Sequence, residues 1–187
     1  MTVFEQKEVL NTFEILIDTR EQETKRAKKR FAMFGVPFRR VTLSYGDYAY
    51  NAVLPNGRSI YDVSRTIEPI CAIERKMDLD ELAGCYTRSR RRFQREFEKA
   101  TENRCRMYLI CENATWENLL NGKYRSQFNA KAFMASGIAW MVRYNTNVIF
   151  CKEETSGVLI REILYRDLKE RLERGEFDDV FPDYCHR

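Results

Sequence analysis

The sequence predicts an α/β fold in which a mixed central β-sheet carries helices on both faces. Three observations lead there. Short apolar, β-branched runs recur at 13–18 (FEILID), 106–111 (RMYLIC) and 147–151 (NVIFC), each the length of a buried strand. Between them lie longer stretches whose apolar residues return at helical spacing, so strands and helices alternate. The stretch 43–80, LSYGDYAYNAVLPNGRSIYDVSRTIEPICAIERKMDLD, joins two β-rich runs through a turn at Pro55, Asn56 and Gly57, the composition of a long antiparallel hairpin.

In chain order, residues 1–12 are expected to be a mobile lead-in. The strand at 13–18 follows, and Thr19 with Gln22 three residues on is placed to cap a helix over about 22–34 that Gly35 and Pro37 end. After the two hairpin strands comes one long helix over about 79–103. Its apolar residues Leu79, Leu82, Tyr86, Phe93 and Phe97 form the face that packs on the sheet. The strand at 106–111 leads to a short helix, a loop and a longer helix within 114–144. The strand at 147–151 and an amphipathic helix over about 155–173 complete one domain, 13–175, with 176–187 as a C-terminal tail.

A chain of 187 residues, 44% hydrophobic, is long enough for one domain with a real core. The formal charge of +4 permits nucleic-acid binding without requiring it, so the placement of the arginines decides. No apolar run reaches the length of a bilayer span, and the start MTVFEQKEVLN lacks the basic-then-apolar form of a signal peptide. A cytoplasmic location with no membrane partner is expected. Cys71, Cys85, Cys105, Cys111, Cys151 and Cys185 include no C-x-x-C pair and read as reduced core thiols. His186 is the only histidine, which argues against a Ser-His-Asp triad or a histidine-based nuclease.

Within the hairpin stretch, Glu74 and Lys76 are two residues apart on one strand, so both leave the same face and Arg75 points the other way. Antiparallel pairing brings Asp47, after Gly46, across from that pair. Two carboxylates and an ammonium would then converge, an arrangement that needs a reason because desolvated like charges are costly. A hard divalent cation such as Mg²⁺ supplies one, since it takes a few carboxylate oxygens and completes its shell with water and substrate phosphate. A lysine beside it can position water for attack on a phosphodiester. Each residue also has a plainer reading: Asp47 as a hairpin or bulge residue, Glu74 and Lys76 as an exposed ion pair. Asp18 closes a strand, where open α/β sheets hold ligands, or caps the next helix.

GDY at 46–48 followed by IERKMDLD at 73–80 resembles the G-D-x…E-R-K-x-x-x-D signature of the XPF family of structure-specific endonucleases. ILIDTRE at 15–21 is similar to that family's strand ending in D-x-R-E. The resemblance implies a restriction-endonuclease-like fold, of the superfamily marked by an acidic residue and a later D/E-x-K. It also implies a nuclease dependent on Mg²⁺ or Mn²⁺ that acts on branched DNA in repair or recombination, often as a homodimer through the nuclease domain. In those terms Asp47 and Glu74, helped by Asp18, hold the metal, and Lys76 orients or activates the water. Arg75 organises the site from behind or contacts DNA, and Asp80 fits the last signature position, where Asp78 and Asp80 are also helix-cap candidates. Arg20 and Glu21 match the R-E and are further site candidates.

The arginine-dense stretch 87–99 (TRSRRRFQREFEK) places Arg88, Arg92 and Arg95 on one helical stripe with Arg91 beside it, suited to phosphates. Lys25, Lys28 and Lys29 read as solvated surface, with extension of that phosphate track as the alternative. Trp140 reads as core, while Trp116, Tyr45, Tyr48 and Tyr50 are candidates for stacking or packing. The helices at 132–144 and 158–172 are candidate dimer surfaces or covers of the sheet. The family's tandem helix-hairpin-helix region is not expected, because the chain ends soon after its last helix. Two alternatives stand beside this reading: a non-catalytic DNA-binding or scaffold subunit, and a sequence-specific restriction-type nuclease.

Overall fold

A computed structural model describes residues 1–178 of the protein; Cys185, His186 and most of the expected tail lie outside the described residues. Six strands form one sheet in the order β2-β1-β3-β4-β5-β6: β1 Glu14–Asp18, β2 Phe38–Val41, β3 Tyr48–Asn51, β4 Cys71–Lys76, β5 Arg106–Glu112 and β6 Asn147–Cys151. β3 runs antiparallel to both its neighbours, while β1 with β2, and β4 with β5 and β6, are parallel, so the sheet is mixed as expected. The helices are α1 Val3–Asn11, α2 Lys25–Ala32, α3 Leu79–Tyr86, α4 Arg90–Glu102, α5 Trp116–Leu120, α6 Ala130–Tyr144 and α7 Glu153–Glu173.

Strand alternation splits the core in two. Ile15, Ile17, Tyr48, Tyr50, Ile73 and Ile110 point to one face, where Ile160, Leu164, Leu168 and Leu172 of α7 cover them with help from α1 and α2. Ala72, Leu109 and Cys111 point to the other, under α3, α4 and α6. Trp140 of α6 is fully buried there, stacked on Phe93 at 5.9 Å and edge-on to Tyr86 at 5.0 Å. Cys71, Cys85 and Cys111 are buried free thiols, and Cys105 and Cys151 are half-buried and free.

Four expectations are corrected. Residues 3–11 are not a mobile lead-in but α1, opened by a capping box in which Thr2 and Glu5 bond reciprocally and anchored by buried Val9. The first basic helix begins later than expected, at Lys25, because Thr24 rather than Thr19 accepts from the Ala27 N–H. The hairpin is not continuous. β3 and β4 pair directly only at Tyr48 with Ile73, and residues 52–70 make an excursion that carries the Pro55–Gly57 turn. Ile67 of that excursion bridges to Leu43 and packs with Leu16, Val41 and Ala49, covering sheet that the helices of that face leave bare.

The long helix expected over 79–103 is broken at Thr87–Ser89. The Thr87 hydroxyl donates to the Ala83 carbonyl, and the Ser89 N–H reaches back to the Gly84 carbonyl, a local bonding pattern that competes with helix continuation. The break lets α4 bring both Phe93 and Phe97 into the core while turning Arg92 and Glu96 toward the end of the sheet where β1 and β4 finish. β2 is an additional edge strand, masked in the sequence by Arg39 and Arg40, which are more exposed than the residues of the central strands.

Candidate active site

Asp47 is delivered by a backbone clamp. Its N–H donates to the Ile73 carbonyl at 2.8 Å and its carbonyl accepts from the Asp18 N–H at 2.9 Å, fixing it between β1 and β4 at the start of β3. Gly46 makes that clamp possible. Its φ of +75° favours glycine, and a Cβ there would lie 2.9 Å from the Ala72 Cβ and 3.4 Å from the Ile73 carbonyl oxygen. Gly46→Ala is expected to destabilise the fold by about 1–3 kcal/mol, from strain and overpacking together. Chemical denaturation of the variant checks this; an unchanged midpoint would mean that the backbone shifts freely here.

Across from Asp47, Glu74 and Lys76 leave β4 on the same face, and the Lys76 Nζ donates to Glu74 Oε1 at 2.5 Å. Both residues are buried, at 5% and 9% exposure, so they are not the solvated pair that their sequence alone allowed. Asp47 Oδ2 accepts from the Arg75 N–H at 2.8 Å. Burial, then the nearby Glu74, pushes the Asp47 carboxyl up to about 7. Burial also raises Glu74, against the pull of Lys76. Burial works against the Lys76 ammonium, yet Glu74 and Asp47 together hold it above the ordinary lysine value, so it is a firmly charged donor.

These three groups line a cleft of about 670 Å³ with Arg20, Glu81, Arg92 and Glu96. Its charge is mixed, and the acidic pair at its floor is offset by the Lys76 ammonium. Among the described residues no three carboxylate, cysteine or histidine side chains gather closely enough to cage a metal ion. Two carboxylates nevertheless fit Mg²⁺ or Mn²⁺. Such ions are commonly held by one or two protein carboxylates, with water and substrate phosphate completing the shell. Asp47 Oδ1 and Glu74 Oε2 accept no hydrogen bond from the described residues, which leaves an oxygen on each for that purpose.

Asp18 is not part of this set. Its buried carboxylate accepts from the Arg20 N–H, from Arg20 Nε at 2.6 Å and Nη2 at 3.3 Å, and from the Leu43 N–H at 2.8 Å. With its oxygens so engaged, it holds Arg20 at the cleft rather than reaching a metal. Asp80 is also elsewhere. It accepts from the backbone N–H groups of Arg125 and Ser126 and from Arg125 Nε, tying that loop to the first turn of α3, while Asp78 is the residue that caps the helix. α3 turns Asp80 away from the cleft, so the geometry gives it a loop-holding role.

Arg75 points to the opposite face, as strand alternation required. There Glu112, fully buried at the end of β5, pairs with both Arg30 and Arg75, and Glu21 pairs with the same two arginines while accepting from the Tyr48 hydroxyl. This network braces β4 beside Glu74 and Lys76, and its Glu21, Arg30 and Arg75 also line the cleft. Tyr45 and Tyr50 are likewise internal, donating to the Pro69 carbonyl and to Asp167, so neither presents a free stacking platform, while the half-buried Trp116 packs edge-on to Phe150.

Among the arginines, Arg92 lines the cleft itself, and Arg88, Arg91, Arg92 and Arg95 line an adjoining hollow of about 580 Å³. Arg88 sits in the helix break, so the stripe runs from α4 alone. Sequence reasoning missed Glu81, Glu96, Arg30 and Glu112. Glu81 lies 3.9 Å from the Lys76 Nζ and accepts from the Met77 N–H. Burial raises the Glu96 carboxyl, opposed by Lys76 and Arg20. The available signals were the position of Glu96 between Phe93 and Phe97, and that of Glu112 just beyond an apolar strand.

Residues 17–161 match the model of the ERCC4 domain, and the chain belongs to that family. Among solved structures it is similar to XPF from Aeropyrum pernix, at a TM-score of 0.57 and 16% identity over 93% of this chain. It is similar also to XPF from Aeropyrum pernix in complex with DNA, at a TM-score of 0.57 and 16% identity over 85% of this chain. At that identity the likeness establishes the fold, the restriction-endonuclease-like arrangement of the XPF nuclease. The chain spans 66% of the length of each Aeropyrum chain, just under two thirds. Among curated proteins none matches the sequence.

Proposed function

We propose that the protein is a metal-dependent endodeoxyribonuclease that hydrolyses phosphodiester bonds in branched DNA such as flaps, forks or junctions, in repair or recombination. The observation that carries this reading is the convergence of Asp47, Glu74 and Lys76 at the floor of an arginine-edged cleft. Family membership supports it, and a structural relative described as a complex with DNA supports the choice of polymer. Asp47 and Glu74 would hold Mg²⁺ or Mn²⁺. A divalent cation bound there supplies charge neutralisation for the scissile phosphate and its leaving oxygen.

The chain's own residues do the rest. Lys76, hydrogen-bonded to Glu74 on the floor of the cleft, is placed as a donor that orients the attacking water and offsets negative charge on the phosphate. Arg75 and the Glu112 network keep β4 in register beside it. Arg20 and Arg92 at the cleft, with Arg88, Arg91 and Arg95 beside it, take backbone phosphates, contacts that position DNA without reading its sequence. For a homodimer, α6 is the better surface, since Ile138 and Val142 are 43% and 81% exposed. The buried stripe of α7 is committed to the sheet. A cytoplasmic site of action accords with this role.

Mapping cuts on end-labelled splayed-arm, flap and linear duplex DNA tests the substrate class. Scission near the branch and little on plain duplex is expected. Cuts at a fixed sequence on both would favour a restriction-type enzyme, and branched-DNA binding without scission would favour the non-catalytic subunit.

A further inference from the structure

At the end of the sheet opposite the cleft, a hollow of about 490 Å³ opens where β5 and β6 begin, lined by Arg104, Arg106, Arg171, Arg174, Tyr144 and Asn147 among others. Among the described residues no carboxylate lines it. Arg171 is held by Asp167 and Glu176 and donates to the Ile70 carbonyl, and Arg174 pairs with Glu170. Arg104 and Arg106 differ from these two. Both are exposed and neither has an ion-pair partner among the described residues, although Arg106 stacks over Tyr108 at 5.6 Å. Two further features are unexplained by packing. The buried Tyr144 hydroxyl in the wall has no hydrogen-bond partner among the described residues. Arg104 itself has a φ of 54°, in the left-handed position just past α4 where glycine or asparagine costs least.

The hollow is joined to the cleft by α4. Arg92 and Glu96 line the cleft, Thr101 lines the hollow, and the exposed Arg91, Arg95 and Lys99 follow one another at four-residue spacing between them. Lys99 pairs with Glu68 at 3.5 Å, with both groups about half exposed, a pairing weak enough for a phosphate to displace. α4 spans about 20 Å, which is about six base-pair steps of duplex.

We propose that the Arg104–Arg106 hollow is a second phosphate-binding site that grips the backbone of a duplex arm lying along α4, so that substrate affinity depends on arm length. This rests on the reading of the cleft as a DNA-cleaving site, but it is separable from it by experiment. Binding is measured by fluorescence anisotropy in chelator, using splayed-arm DNAs whose duplex, closed at its far end by a hairpin loop so that the shorter one stays paired, is either about four or about twelve base pairs, shorter and longer than that span. The 187-residue chain is compared with Arg104→Gly and with the Arg104→Gly, Arg106→Ala pair.

Wild type is expected to bind the long arm about tenfold more tightly than the short one. The double variant should lose most of that gain and show a salt slope shallower by about 1.8 on the long arm, about 0.9 for each phosphate contact removed. Arg104→Gly should melt at or above the wild-type temperature, because glycine relieves the left-handed strain, so weaker binding could not be blamed on unfolding. Inorganic phosphate at matched ionic strength should leave the arm-length dependence in place; its abolition there would assign the hollow to a free phosphate compound and overturn the duplex reading. Equal affinity for both arms in wild type, or an undiminished gain in the double variant, would also overturn the proposal. An arm-length dependence that behaves as expected in a protein that cuts no DNA would sink the nuclease reading while leaving this site standing.

Discussion

Lys76→Ala is expected to lower single-turnover cleavage of branched DNA by about 10²–10³-fold, the range for removing one preorganised donor aimed at developing charge. The ground for this is geometric: the ammonium touches Glu74 and faces Asp47 on the floor of the cleft, and it is held charged there. Binding in chelator should be nearly unchanged, because phosphate contact is assigned to the arginines. Folding is a separate matter. Removing Lys76 leaves the buried Glu74 without its donor, and that carboxyl can respond by taking up a proton. Circular dichroism and a denaturation curve are therefore measured beside the rate. Lys76→Arg is the informative partner variant, keeping charge but not the compact ammonium, and it should recover little of the lost rate. Cleavage within a fewfold of wild type in a folded Lys76→Ala protein would remove the lysine from the chemistry.

The second large effect is expected behind the sheet. Glu112 is fully buried and is shared by Arg30 and Arg75, so Glu112→Gln removes one charge from a buried group of two arginines and two carboxylates. Breaking a buried pair by removing one partner typically costs about 3–5 kcal/mol, because the remaining charge stays desolvated. Urea denaturation of Glu112→Gln should show that loss. A double-mutant cycle with Arg30→Met separates the penalty of the orphaned charge from the worth of the pair. If Glu112→Gln is as stable as wild type, the network is not a brace. If it is destabilised yet cleaves at full rate under conditions where it is folded, then β4 holds its register without help from the Glu112 network.

Much of the site was legible before any coordinates. The two-residue period of a strand is enough to put Glu74 with Lys76 and to send Arg75 to the other face, and all three lie so. What that period could not give was the neighbourhood of a residue on a helix or loop. Asp80 occupies the right place in the signature, but the rotation of α3 aims it at the Arg125–Ser126 backbone. Asp18 ends a strand as expected, yet the donors that saturate it come from Arg20 and from Leu43 beyond β2, a contact set by the parallel β1–β2 pairing. The break at Thr87–Ser89 hid inside a pattern whose apolar spacing looked continuous, since Tyr86 and Phe93 are close to two turns apart and both reach Trp140. α1 is different: its Thr2 and Glu5 spell a capping box in the sequence, and the short, weakly apolar helix that follows gave little reason to credit it.

The central claim is that the floor of the cleft works as a metal-dependent phosphodiesterase through Asp47 and Glu74. It is tested most directly by single-turnover cleavage of one labelled splayed-arm DNA, with Mg²⁺ or Mn²⁺ and with chelator, for wild type and Asp47→Asn side by side. The account predicts scission by wild type that needs the divalent ion and is abolished by chelator. It also predicts that Asp47→Asn, which keeps the hydrogen bond from Arg75 but loses the charge, is nearly inactive at every metal concentration reached. Scission that persists in chelator, or full activity in folded Asp47→Asn, would contradict it.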